Sequence, residues 1–318
     1  MNRRNGESIR GVIPVLEVPF LDDEAIDYAG FESVINRTIG ANADALMFPA
    51  FASEFLKLSA AEKAELETTL LAIGQSQNTP VVLSVAEHGT RLAAQAAESA
   101  AERGASAINL LPPHRLGVSP TAMRHHLETV LIAAAPTPVI VQYAPAETGA
   151  TLDLGVIADL AETHENLWGL KVDASPAGAV IAALTRLSTT VGRPIGATVG
   201  YAGLHLLDGV ARGATAVQPG CSFTEIYVAL WRLLADGRTE DAFELHRRML
   251  PYLAHWMQSV ELIVAAEKRI SYQRGWITTP VVRQPGYALD ALELARIDAF
   301  LTEFHDHLGV RNQLAVRN

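Results

Sequence analysis

Cysteine is nearly missing from this chain. Cys221 is the only one in 318 residues, so no intramolecular disulfide can form and a reducing compartment is expected. Lysine is almost as scarce, present only at positions 57, 63, 171 and 268. Basic charge as a whole is short: 25 Lys and Arg stand against 35 Asp and Glu, a net charge of −10 spread along the chain. A face able to neutralise phosphates is therefore not expected, which excludes nucleic acid as a partner. Long apolar runs are absent too. Stretches such as LAAQAAESAAERGA are cut by charge, and none approaches the roughly 18 uninterrupted apolar residues of a membrane span. The start, MNRRNGESIRG, lacks the apolar core of a secretory leader. The expectation is a soluble, cytoplasmic protein with no membrane partner. No GxGxxG follows a strand-like run, which disfavours an open dinucleotide-binding sheet. His125 with His126, and His305 with His307, sit in helical segments among polar neighbours without metal-ligand spacing, so no metal is expected.

What the chain does have is a repeat. Short β-branched runs alternate with alanine- and leucine-rich segments of three-to-four-residue apolar spacing. The strand candidates are GVIPVLEVPF, DALMFPAF, PVVLSVA, SAINLLPP, PVIVQYAP, LWGLKVD, PIGATVG and TAVQPG. The helical segments between them open on Ser59, Thr90, Ser119 or Asp153, as N-caps, and stop at Gly40, Gly104 or Gly213, as C-caps. Near-continuous apolar strands are buried on both faces, which is the mark of a parallel sheet. Such units with right-handed crossovers close into a (β/α)8 TIM barrel over residues 1–236. Residues 237–318 read as three helices, with Pro280 and Pro285 between the last two, forming a C-terminal helical extension packed on the barrel.

Chemistry in such a barrel sits at the C-terminal ends of the strands. There LWGLKVD carries Lys171, the one lysine inside a strand; Lys57, Lys63 and Lys268 fall in amphipathic or loop contexts and read as solvated. Lys171 either is a plain ion, reaching the rim or paired with a carboxylate such as Asp173, or serves as an amine nucleophile toward a carbonyl. Nucleophilicity requires the free amine, and lowering a lysine pKa by about 3 units costs roughly 4 kcal/mol of charged-state stability, which burial can supply.

Four segments, in order, carry a resemblance: VPFLDDEAID, SEFLKLSAAEK, PVIVQYAPAETG and GLKVDAS. Together they resemble the dihydrodipicolinate synthase / N-acetylneuraminate lyase family of class I aldolases, across nearly the whole chain. The resemblance implies a Schiff base on Lys171, a small carbonyl substrate such as a 2-oxo acid, no cofactor, and a homo-oligomer, tetramer or dimer. It also marks departures. The family's paired threonines, which bind the substrate carboxylate and begin a proton relay, read Phe51 and Ala52, followed by Ser53 and by Glu54 on the family's glutamate. The family's proton-carrying tyrosine reads Gln142, with Tyr143 one residue on. Its substrate-binding arginine reads Glu147, and the relay tyrosine lent by a neighbouring subunit reads His114 within PPHR. Thr198 and Gln218, at the ends of the last two strands, complete the candidate set. An amide cannot shuttle a proton, so Tyr143, His114 and Glu54 are the candidates for that work. The expected function is a Schiff-base lyase, aldolase, synthase or dehydratase in type, with an altered relay. The alternative is a catalytically inactive barrel that binds a carbonyl ligand as a sensor or subunit.

Overall fold

Prolines set the lengths of several strands in the computed structural model, which describes residues 9–114 and 116–309. The polar start at 1–8 and Arg115 of PPHR lie outside the described residues. The strands are β1 (Gly11–Val12), β2 (Leu46–Phe48), β3 (Val81–Val85), β4 (Ala107–Leu110), β5 (Val139–Tyr143), β6 (Leu167–Val172), β7 (Gly196–Val199) and β8 (Ala216–Val217). The runs read as strands over 11–20, 44–51 and 215–220 are much shorter than expected. Pro14, Pro19, Pro49 and Pro219 interrupt them, and proline lacks the N–H a ladder needs.

The helices before β5 are α1 (Tyr28–Gly40), α2 (Ala60–Ser76), α3 (Thr90–Glu102) and α4 (Pro120–Ala134). After it come α5 (Pro145–Thr148), α6 (Leu154–Thr163), α7 (Ala177–Val191), α8 (Leu206–Ala211) and α9 (Thr224–Ala235). The chain ends with α10 (Thr239–Trp256), α11 (Val260–Gln273), α12 (Ala291–Glu303) and α13 (His305–Leu308). Among the described residues, no helix is long and apolar enough to cross a membrane.

Side-chain capping explains several helix starts. Ser119 and Asp153 accept from Ala122 N and Gly155 N, and Ser59 exchanges bonds with Glu62 at the head of α2. Two expected caps are displaced. Gly89, not Thr90, occupies the N-cap of α3, and the Thr90 hydroxyl lies 3.1 Å from His126 Nδ1 instead. Gly40 is the last residue of α1 rather than a left-handed stop. Gly104 and Gly213 do take positive φ just past α3 and α8.

The chain forms two compact units. The first runs to Ile13 and then from Gly74 to Gln218. Its strands lie in the order β1-β8-β7-β6-β5-β4-β3, each parallel to its neighbours. The first strand thus pairs with the last, as a (β/α)8 barrel requires. From β3 to β6 nearly every residue is buried, so both faces of the sheet are covered, as the near-continuous apolar runs demand.

The second unit joins Pro14–Ile73 to everything from Pro219 on. In it Val15 bridges Met47 of β2 on one side and Gly220 on the other, both in parallel. Its core gathers Phe223, Trp256 and Phe300, all fully buried, with the ring centroids of Phe223 and of Trp256 each 5.1 Å from that of Phe300. Each such ring contributes roughly 1.5–3 kcal/mol by leaving water, more than the usual hydrogen bond nets.

Candidate active site

One extra residue in β6 decides which way its lysine faces. Val139 of β5 pairs with Leu167, but the next residue, Ile140, pairs with Gly169, so Trp168 has no opposite number. A one-residue slip exchanges the two faces of a strand. Past this bulge Lys171 stands level with Gln142 on β5 and Thr198 on β7. Without it, Lys171 would stand level with Tyr143. The bulge needs Gly169, whose φ is +152° and whose Cβ, if it had one, would lie 1.9 Å from the Gly196 carbonyl oxygen on β7.

Lys171 is buried, with 7% of its side chain exposed, and its Nζ lies 2.9 Å from Asp173 Oδ2. Two residues apart in extended chain, the pair share a face. Asp173 is held from two further directions. The Gln142 amide donates to Oδ2 at 2.8 Å, and the Tyr201 backbone N–H donates to Oδ1 at 2.9 Å. Gly200 makes room for it: a Cβ there would fall 1.7 Å from Oδ1. Gln142 is fixed in turn by Asn109, which donates to its Oε1 at 3.0 Å and to Ser84 Oγ at 3.3 Å. Beside this chain Thr198 donates to Gln218 Oε1 at 3.0 Å. Two buried polar atoms of the group, Asn109 Oδ1 and Gln218 Nε2, have no protein partner. An orphan acceptor and an orphan donor at this depth are groups a polar ligand can satisfy.

Lys171, Gln142, Thr198 and Gln218 are therefore brought together in one unit. Ser84, Asn109 and Gly200 belong with them and were not in the candidate set, and Asp173, read from sequence only as an ion partner of Lys171, belongs there too. For Asp173 a signal existed: K-x-D in a strand puts both charges on one side. Tyr143 stands level with Val172, one step out of phase with Lys171. Glu147, in the short helix α5, is exposed and accepts from the Tyr201 hydroxyl at 3.2 Å. Partial burial, with Glu147 beside it, pushes the Tyr201 hydroxyl pKa up. His114 Nδ1 lies 3.2 Å from the Pro112 carbonyl oxygen. A cavity of about 780 Å³ also belongs to this unit, but Pro138, Asn166, Pro194 and Thr215 in its wall precede their strands, so it opens at the opposite end from Lys171.

The remaining candidates lie in the second unit. Phe51, Ala52 and Ser53 form a single 3-10 turn, with the Phe51 ring edge-on to Phe55. Neither Phe51 nor Ala52 offers a hydroxyl, and that of Ser53 is committed to the Leu16 carbonyl at 2.5 Å. Glu54 follows in left-handed conformation, φ 55°, between two ammonium groups. Lys57 is 2.9 Å away, and Lys268 pairs with the other carboxylate oxygen.

The reading of Lys268 and Lys57 as solvated is overturned. Lys268 is fully buried, donates to the Val281 carbonyl at 2.9 Å and lies 4.0 Å over the Phe20 ring. Its burial pushes the ammonium pKa down, opposed by Glu54. Lys57 is mostly covered between Glu54 and Glu261. Burial also raises two carboxyls nearby, Glu17 to about 7 and Glu267 to about 8. Glu267 accepts from both the backbone N–H and the hydroxyl of Ser222. The thiol of Cys221, wholly buried, is pushed well up and stays protonated.

Comparison with known proteins adds four findings. The model of the dihydrodipicolinate synthetase family matches residues 8–303. L-2-keto-3-deoxyarabonate dehydratase of Azospirillum brasilense is 25% identical over 279 residues, 87% of this chain and 88% of that protein. Among solved structures, dihydrodipicolinate synthase from Rhodopseudomonas palustris superposes with a TM-score of 0.84 at 21% identity, covering 93% of this chain and 97% of that one. A catalytic lysine mutant of Ruminococcus gnavus sialic acid aldolase does so with a TM-score of 0.84 at 17% identity, covering 96% and 98%.

Proposed function

The chain belongs to the dihydrodipicolinate synthetase family, and on that premise we propose that it is a Schiff-base lyase acting on a 2-oxo acid or related carbonyl compound through Lys171. One observation carries the proposal: the lysine is buried inside a strand rather than at the rim, in a polar group that leaves two buried atoms open to a ligand. Free of its proton, the amine attacks a ketone carbon. Loss of water leaves an iminium, which withdraws electrons from the neighbouring bonds. Cleavage, condensation and dehydration all proceed from that species. The dehydratase relative, aligned over most of both chains, favours dehydration of a polyhydroxylated 2-oxo acid. Asn109 Oδ1 and Gln218 Nε2 are suited to hold hydroxyl or carboxylate oxygens of such a substrate.

Around this centre we assign Gln142 to the altered relay and Thr198 with Gln218 to substrate binding. Tyr143, His114 and Glu147 are assigned to its outer rim. Residues 1–236 are assigned to the barrel and residues 237–318 to a C-terminal helical extension. The protein works as a cytoplasmic homo-oligomer, tetramer or dimer, in keeping with its family.

The test is borohydride reduction in the presence of pyruvate, 2-oxobutanoate and 3-deoxy-2-oxo sugar acids, followed by peptide mass analysis. A mass gain on Lys171, absent from Lys171→Ala, is expected. Thermal stabilisation by these acids with no adduct and no turnover would overturn the proposal and favour the ligand-binding barrel, the reading to which Phe51, Ala52 and Gln142 lend weight.

A further inference from the structure

We propose that Asp173 is the general acid–base of this site, and that Gln142, at the position of the family's tyrosine, is its positioning residue. This rests on the Schiff-base reading of Lys171. The juxtaposition is direct. Asp173 Oδ2 is 2.9 Å from Lys171 Nζ, the atom that bonds the substrate. Once Nζ is joined to the substrate's C2, the hydroxyl oxygen on C2 is two bonds from Nζ and the hydrogens on C3 are three. A carboxylate in contact with Nζ therefore reaches both of the places where protons move.

The steps balance through this one carboxylate. Asp173 takes a proton from the Lys171 ammonium, giving a carboxylic acid and a free amine. The amine adds to C2, and the nitrogen's proton passes to the new oxygen to give a carbinolamine. Asp173 returns its proton to that hydroxyl, which leaves as water while the nitrogen lone pair forms the iminium. Asp173, again a carboxylate, then takes a proton from C3, and the C–H electrons become the C2–C3 double bond of an enamine. Where C4 carries a hydroxyl, the acid form of Asp173 protonates it. Water departs as the enamine electrons push, and hydrolysis of the unsaturated iminium releases product and restores the amine.

The surroundings suit that role. Asp173 is nine-tenths buried yet receives hydrogen bonds from Gln142 and from the Tyr201 N–H, so its two oxygens are fixed in orientation. Gln142 cannot itself carry a proton. Its own Oε1 is pinned by Asn109, which aims the amide N–H₂ at Asp173. The bulge at Trp168 brings Gln142 rather than Tyr143 to the level of Lys171. The proton carrier has thus moved from the fifth strand to the end of the sixth, and the fifth now holds it in place.

Deuterium wash-in at C3 of pyruvate, followed by NMR in D₂O, reads the C–H step without needing the natural substrate. Wild type is expected to exchange and to be trapped by borohydride. Asp173→Asn is expected to lose exchange by about 100-fold or more, while long incubation still labels Lys171. Asp173→Glu is expected to recover part of the rate. Gln142→Met, which keeps both charges, is expected to lower kcat with KM little changed and to displace a limb of the pH–rate profile. Should Asp173→Asn fail to fold by circular dichroism, Gln142→Met decides the matter. Unchanged exchange in a folded Asp173→Asn, or an unchanged kcat and pH profile in Gln142→Met, would overturn the assignment. So would loss of exchange in Tyr143→Phe with Asp173→Asn intact. A wild type that forms no adduct at all defeats the Schiff-base reading and this assignment together.

Discussion

A methyl group at Gly200 would land 1.7 Å from Asp173 Oδ1, so Gly200→Ala must displace the carboxylate from its place beside Lys171. Misplacing a reacting group by about 1 Å costs on the order of 100-fold in rate. Exchange and trapping assays on Gly200→Ala should show a loss of that size with the fold intact. Lys268→Met tests a different residue-scale claim. It leaves Glu54 buried with Lys57 alone, and breaking a buried pair costs about 3–5 kcal/mol. Urea unfolding should show that loss; a midpoint near wild type would mean that Lys268 contributes packing only. These residues also mark the limit of what sequence reveals. Lys171 was legible because lysine is rare here and only one falls in a strand. Lys268 was not, because helical spacing says which residues share a face but not what covers that face. Asp173 was visible as a neighbour, yet its grip on Gln142 depends on a register no single strand displays.

The bulge in β6 is where an element, rather than a residue, does the positioning. Gly169→Ala would drive a Cβ into the Gly196 carbonyl at a φ of +152°. The strand must then shift, and Lys171 with it. The expected outcome is destabilisation of about 3 kcal/mol or more, in line with overpacking, and a loss of adduct formation larger than the loss of helical signal. Helices were read to within a few residues, because apolar spacing and caps such as Ser119 and Asp153 are local. Strands were read in number and order, but those at 11–20 and 215–220 were drawn too long. Their prolines keep the chain extended while removing ladder bonds, and extension alone is what β-branched runs announce. The bulge was invisible, since Trp168 and Gly169 look like any strand residues until a neighbour sets the register.

For the molecule as a whole, Glu17 and Glu267 give stability an unusual pH dependence. Their folded pKa values, about 7 and about 8, lie above the ordinary 4.5. The folded protein therefore binds more protons than the unfolded chain between 4.5 and 8. Their contribution is fully present below 4.5 and is lost as pH rises through 7 to 8. Glu62 behaves oppositely. Hydrogen bonds from Arg283 hold it to about 2, so its contribution is present above 4.5 and lost as pH falls toward 2. Thermal midpoints should fall between pH 6 and 9 more steeply than in Glu17→Gln or Glu267→Gln, and curves parallel to wild type would refute the assignment. The eight-unit pattern was plain in the sequence. The grouping of residues 14–73 with those from 219 on was not, because it joins segments far apart in the chain.

That grouping bears on how the protein is made. During translation, Pro14–Ile73 leaves the ribosome while its companions from Pro219 onward do not yet exist. At about 5–20 residues per second the delay is on the order of ten seconds. Throughout it Phe20 waits without Lys268 and Arg283, the cations that cover its ring, a nascent segment suited to chaperone capture.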